Sequence, residues 1–321
     1  MGVACCKDRP AEVGVKRDGR VRNLGSMILV EPLRLNLAEL QIKKELKRGT
    51  LGRSYKVFRK ETGDFHAMKV INKQTIENTG LTVNKNYKPS VLSPFAVHLQ
   101  SAFEEGEYFY TVTDYVDGSE VFEELKKHGK FSEDTVRFYM AEILLALEEL
   151  HNQKIVYRNL NPERILIDAE GHIKLCDFGI YAVFEWPDDK KMGTMSEAID
   201  YKSPEQVRSE DFDFLSDLWQ IGICMYEMLS GRSPFMNKDR SSMEYAIQNS
   251  SPEFDDACFS DDAKDLISKL LQKNPEDRLG AGPRGLTEVK SHPFFRRTRW
   301  QDVEQKLATP PFVPDLNQHD A

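Results

Sequence analysis

Two charged side chains stand where a folding chain ordinarily places apolar or turn residues. Lys69 closes the run Ala67-Met68-Lys69 inside a strand-like segment, and Asp177 opens the turn Asp177-Phe178-Gly179. A lysine on an apolar strand either snorkels its ammonium to the surface or aims it at an anion. An aspartate at such a turn either caps the backbone or holds a cation. Between them lies Tyr157-Arg158-Asn159-Leu160-Asn161-Pro162-Glu163-Arg164. These residue types are poor at moving protons. Asn159 and Asn161 are amides with no lone pair that is basic near neutral pH, and Arg164 is a permanent cation whose charge opposes a metal ion. Gly49 and Gly52 mark a tight turn between two strand-like runs. The five cysteines, Cys5, Cys6, Cys176, Cys224 and Cys258, form no CxxC pair and have no histidine at metal-ligand spacing. They fit a reducing compartment, and Cys176 and Cys224, in apolar company, read as small core residues.

The elements that must position these residues fall into two halves. From about Glu39 the chain reads as short strands, Leu40 to Glu45, Arg53 to Phe58, Phe65 to Ile71, Ala96 to Phe103 and Tyr108 to Val116, which predicts a small antiparallel sheet. Residues 73 to 93 carry little pattern. Beyond Gly118 the chain turns helical. Ser132 to Gln153 has a serine cap, acids in its first turn and one apolar face. Leu215 to Leu229 is apolar nearly all round, the mark of a buried central helix. Asp261 to Leu271 and Glu288 to His292 read as further helices, and Thr309 to Pro314 as an extended tail. Residues 1 to 37 read as a polar, loop-like leader, apart from the short apolar stretch Met27 to Val30. A β-rich half followed by a helical half predicts an α+β fold of two lobes, with the break near residue 118.

Composition narrows the function classes. With 321 residues, 40% hydrophobic and 30% charged, the chain can bury a sizeable core. Its formal net charge of -8 repels nucleic acid and argues against that partner. No apolar run approaches the roughly 18 residues that cross a bilayer, which predicts a cytoplasmic chain.

The order of the segments is more specific than any one of them. A glycine turn, Ala67-Met68-Lys69, Tyr157 to Arg164, Asp177-Phe178-Gly179 and Ser203-Pro204-Glu205 resemble the protein-kinase signature set in order and spacing. Asp217-Leu218-Trp219-Gln220-Ile221-Gly222 and Pro275-Glu276-Asp277-Arg278-Leu279-Gly280 resemble the family's buried central helix and arginine segment. Ser93 to Leu99, Gly129 to Glu133, Asp168 to Gly171 and Pro311-Phe312-Val313-Pro314 are worded most like the cyclic-nucleotide-dependent kinases of the AGC group. The resemblance implies a kinase-like domain at 38–295, with a small lobe to about 117 and a large lobe from about 118, followed by a truncated AGC-type tail at 296–321. That tail lacks the motifs with which the group clasps the small lobe.

The resemblance implies ATP and magnesium as cofactors, held by Lys69 at the phosphates, Gly49 and Gly52 in the glycine loop, and Asp177 as metal ligand. It also locates departures. Lys47 and Ser54 replace a glycine and a valine of the loop, which predicts weakened nucleotide binding, and Asn84 stands where the helix glutamate that partners Lys69 belongs. Asn159 replaces the base, Asn161 the nearby lysine and Arg164 the second metal ligand. Meanwhile the scaffold residues Asp217, Glu205 and Arg278 match, and Glu205 and Arg278 are expected to pair. This contrast implies a pseudokinase acting as a scaffold or allosteric partner of an active kinase; the alternative is a slow serine/threonine kinase using Lys69, Asp177 and one magnesium ion. Lys69 and Arg164 are both expected to pair with Asp177.

Partner residues follow from the same resemblance. Glu120, Glu163 and Glu227 match positions that read basic residues in peptide substrates, which implies a basic segment of a protein partner such as a regulatory subunit. Thr194 falls at the activation-loop phosphosite, with Arg158 placed to pair with a phosphate. Separately, Met1-Gly2-Val3-Ala4-Cys5-Cys6-Lys7 reads as a lipidation sequence, with myristoylation at Gly2 and palmitoylation at Cys5 and Cys6. Two acyl chains would hold the protein on a membrane where one would not.

Overall fold

The computed structural model describes residues 21–24, 27–30, 35–49, 51–79, 82–83, 93–177, 184–185 and 199–315. Gly2, Cys5, Cys6, Asn84 and Thr194 lie outside the described residues.

A two-residue connection, Gly25-Ser26, joins β1 (Val21–Leu24) to β2 (Met27–Val30) in an antiparallel hairpin whose register pairs Val21 with Val30 and Leu24 with Met27. This corrects the loop-like expectation at Val21–Leu24, which pairs with the apolar stretch Met27–Val30. The small lobe is built on β3 (Leu40–Gly49), β4 (Gly52–Arg59) and β5 (Phe65–Asn72). The short helix α1 (Lys73–Thr79) and strand β6 (Thr82–Val83) follow, then β7 (Leu99–Glu105) and β8 (Tyr108–Asp114). The five long strands form one antiparallel sheet in the order β3-β4-β5-β8-β7. Strand β8 lies inside it, so Phe109, Tyr110, Thr111 and Val112 are all buried and the strand is covered on both faces. Strand β7 starts at Leu99 rather than Ala96, because Ala96 bridges Leu175 of the large lobe instead of joining the sheet.

The large lobe opens with β9 (Gly118–Glu120), α2 (Val121–His128) and α3 (Glu133–Asn152). Ser132 caps α3 by accepting a hydrogen bond from the Thr135 amide, and eleven of its side chains are buried. Strand β10 (Ile165–Asp168) pairs with β9 on one side and with β11 (Ile173–Leu175) on the other in a three-stranded sheet, and β12 (Phe184–Glu185) pairs with β6. Then come α4 (Pro204–Val207), α5 (Leu215–Ser230), α6 (Arg240–Asn249), α7 (Asp261–Leu270), α8 (Leu286–Lys290) and α9 (Trp300–Glu304). Every residue of α5 from Leu215 to Leu229 is buried, as its apolar character predicts. The main core gathers around Trp219, Tyr139 and Tyr157, and a smaller one around Val57, Met68 and Val112 fills the sheet lobe. Phe312 docks the tail against Phe131 and His128, with ring centroids 5.5 Å away in each case. Among the described residues, no helix is long and apolar enough to cross a membrane.

Candidate nucleotide cleft and catalytic loop

The loop carrying the changed residues is held by the buried end of α5. The Asp217 carboxylate accepts hydrogen bonds from the amides of Tyr157 (2.9 Å) and Arg158 (2.8 Å) and contacts His151 at 2.8 Å. Gln220 accepts from the Leu160 amide at 2.8 Å, and its side-chain nitrogen donates to the Arg158 carbonyl at 2.9 Å. Tyr157 donates its hydroxyl proton to the Cys176 carbonyl at 2.6 Å, tying the loop to the segment that carries Asp177. Lower in the lobe, Arg278 grips Glu205 through two bonds of 2.7 and 2.6 Å, with both side chains buried. Asp217, Glu205 and Arg278 therefore do the positioning work that the sequence implies.

The side chains on this loop point their chemistry at one another. Asn161 donates to the Asn159 carbonyl and to its side-chain oxygen, both at 3.1 Å, while its own oxygen accepts from the Glu163 amide at 3.0 Å. Both asparagines are buried. Neither accepts a proton near pH 7, so the loop offers a substrate hydroxyl no base at Asn159.

Strand register builds the opposite wall. Lys47 lies across from Ser54, Ser54 across from Lys69 and Lys69 across from Thr111, so both lysines lie in one cross-strand row of the sheet. A cavity of about 540 Å³ opens below it, within the range that takes a small-molecule ligand. Ala67, Val97, Val116 and Leu166 are among its apolar lining, and Lys47, Lys69, Arg164, Glu120, Glu163 and Asp177 among its charged lining. Gly52 is required at the turn because a Cβ there would lie 2.0 Å from the Val70 carbonyl oxygen. At Gly49 a Cβ would meet its nearest neighbour at an ordinary 3.8 Å, so packing does not demand glycine there.

Lys69 donates to Asp177 at 3.2 Å, and Arg164 pairs with the same carboxylate oxygen. Burial, reinforced by the Arg164 guanidinium, pushes the Lys69 amine down to about 7. Asp177 adopts a positive φ of 65°, a conformation that Asp tolerates better than most residues. This end of the cleft does not suit magnesium. Its one carboxylate is already shared by two cations, and an arginine stands where the resemblance puts a second oxygen ligand. Among the described residues, no cluster of three or more His, Cys, Asp or Glu side chains is arranged to hold a metal ion.

One contact is absent from the sequence reading. Lys47, which stands in place of a glycine of the loop, reaches across the cleft to Glu120 at 2.9 Å and Glu163 at 3.0 Å. Burial works to lower the Lys47 amine's pKa, but the bonds and charge of Glu120 and then Glu163 raise it overall. Burial also lifts the Glu120 carboxyl above its ordinary value, against the pull of Lys47. The two short contacts favour a charged pair at neutral pH. Strand β10 explains the meeting: Leu166 pairs with Glu120, which brings β9 beside the turn that carries Glu163. Glu227 accepts a hydrogen bond from the Tyr201 hydroxyl and is pushed up to about 7 chiefly by burial, with the negative charges of Asp200 and Glu163 adding to the rise. Cys176 and Cys224 are held as thiols by burial.

The comparisons agree with the geometry. A family model described as protein kinase domain matches residues 40–295. Protein kinase 3 of Dictyostelium discoideum is 38% identical over 300 residues, covering 89% of this chain and 32% of the relative. The RAC family serine/threonine-protein kinase homolog of the same organism is 37% identical over 290 residues, 88% of this chain and 64% of the relative. The serine/threonine-protein kinase SCH9 of Saccharomyces cerevisiae is 37% identical over 286 residues, 87% of this chain and 34% of the relative. The chain thus spans between 32% and 64% of the length of these curated relatives. On the match over residues 40–295, with the buried supports of the loop in place, the chain belongs to the protein kinase family.

Proposed function

We propose that this chain is an AGC-type pseudokinase, allied to the cyclic-nucleotide-dependent kinases, that works by binding rather than by phosphoryl transfer. The observation that carries this reading is the contrast within the catalytic loop. Its buried supports Asp217, Gln220, Glu205 and Arg278 are satisfied, while Asn159, Asn161 and Arg164 supply no base, no lysine and no second metal ligand. Loss of a general base alone removes on the order of 10²- to 10⁴-fold of rate. The cleft retains weakened nucleotide binding through Lys69, and the large lobe acts as scaffold or allosteric partner of an active kinase. Lipidation at Gly2, Cys5 and Cys6 holds it at a membrane. Glu120 and Glu163 are the docking point for a basic segment of the partner, which reaches them by displacing Lys47.

A second reading, a slow serine/threonine kinase using Lys69 and Asp177, is favoured by the relatives, several of which are named serine/threonine-protein kinases. Incubation with magnesium, ATP and an arginine-containing serine peptide separates the two. The first reading expects phosphate transfer equal to that of Lys69→Ala. Transfer well above that variant establishes the second.

A further inference from the structure

The phosphate end of the cleft is built for an anion that arrives without a metal. Two basic side chains, Lys69 and Arg164, face one carboxylate, Asp177; the guanidinium balances that carboxylate, and Lys69 adds a further positive charge whenever its amine, pushed down to about 7, is protonated. The arginine is not a loose surface side chain. Its backbone is pinned on both sides, by the bond from its amide to the Asn161 carbonyl (2.9 Å) and by the Cys176 amide donating to its carbonyl (3.0 Å). Tyr157 adds a third hold on that carbonyl at 3.3 Å. Asp177 in turn fixes the guanidinium toward Lys69, so the two cations are preorganised beside each other before any ligand enters.

We propose that the cleft takes a nucleoside triphosphate as the metal-free anion, the Arg164 guanidinium standing where a magnesium ion would otherwise sit. This rests on the nucleotide-cleft reading above and specifies the form of the ligand. A guanidinium presents a planar fork of donors that matches phosphate oxygens and cannot be deprotonated. Magnesium needs about six oxygen ligands at short range, and here it would meet the fixed charge of Arg164, and that of Lys69 whenever its amine is protonated, around a single carboxylate. The magnesium complex of the nucleotide also carries two fewer negative charges than the free tetraanion, which wastes the positive charge of Lys69 and Arg164.

Calorimetric titration of the full chain with ATP tests this, at equal ionic strength, once in EDTA and once in excess magnesium. The expected affinity of the wild type is at least about tenfold higher in EDTA. Arg164→Asn is expected to lose the metal-free binding and to prefer magnesium, while Arg164→Lys keeps a reduced preference for EDTA because it retains charge but not the fork. Arg164 is 23% exposed, so neither change opens a sealed cavity, and melting curves verify that both variants are folded. Affinity that is equal in the two media, or higher in magnesium, overturns the proposal and leaves a nucleotide cleft standing. Binding that is undetectable in both media overturns the proposal and the nucleotide reading together.

Discussion

At the scale of single residues, Lys47 is the side chain whose role separates a sealed cleft from an open one. It is partly exposed, and its two ion pairs join β3 of the small lobe to β9 and to the turn that carries Glu163 in the large lobe, so each is modest in energy but decisive in geometry. Lys47→Ala is expected to raise affinity for an arginine-rich peptide, by about threefold to tenfold, and Glu163→Gln to lower it. Fluorescence anisotropy with a labelled peptide reads both, and unchanged affinity in Lys47→Ala would show that the acids are not guarded by it. Glu227 makes a separate prediction with pH. Its carboxyl is raised from 4.5 to about 7 in the fold, so the folded state holds that proton more tightly than the unfolded chain. The associated stability is full below about 4.5 and is lost as pH rises through 7. Glu227→Gln should therefore gain melting temperature over the wild type progressively between pH 5 and 7.5. A difference that stays constant with pH would place the proton elsewhere. Asn159, Asn161 and Arg164 were legible from type alone, because an amide and a guanidinium carry their chemistry wherever they sit. The Lys47 contacts were not, since their acids lie 73 and 116 residues away in sequence.

At the scale of elements, the buried pair Glu205 and Arg278 joins α4 to the segment after α7, and Arg278 also donates to the Leu215 carbonyl at the start of α5. Removing one partner strands a buried charge, so Arg278→Ala is expected to cost about 3–5 kcal/mol in chemical denaturation. A cost under about 1 kcal/mol would mean that water reaches the site. Helices α3 and α5 were readable because a cap and an apolar face, or a fully apolar run, announce them. Helix α6 was not: Ile247 is its one buried residue, so no stripe marks it, although Asp239 caps it. The β1–β2 hairpin did have a signal. Gly25 opens a two-residue connection, the pattern that favours a tight hairpin turn, but the few apolar residues around it read as leader.

At the scale of the whole molecule, two lobes meet at a cleft that two sets of interlobe ion pairs span, Lys47 with Glu120 and Glu163, and Lys69 with Asp177, the carboxylate that Arg164 also holds. The division into a sheet lobe and a helical lobe was visible in the change of hydrophobic period near residue 118. Of what crosses between them, the Lys69–Asp177 contact was expected from the resemblance, whereas the pairs of Lys47 with Glu120 and Glu163 were not, because they depend on how the two units face each other rather than on any local pattern. If the fold kept its scaffold while the catalytic loop lost its chemistry, then restoring that chemistry should restore activity. The most direct measurement is the rate of phosphate transfer from magnesium-ATP to an arginine-containing serine peptide, comparing the wild type, Lys69→Ala and the triple variant Asn159→Asp, Asn161→Lys, Arg164→Asn. The expected result is a wild type no faster than Lys69→Ala, and a triple variant faster by on the order of 10²- to 10⁴-fold. A wild type that transfers phosphate in a Lys69-dependent way, at a rate the triple variant does not exceed, would contradict it.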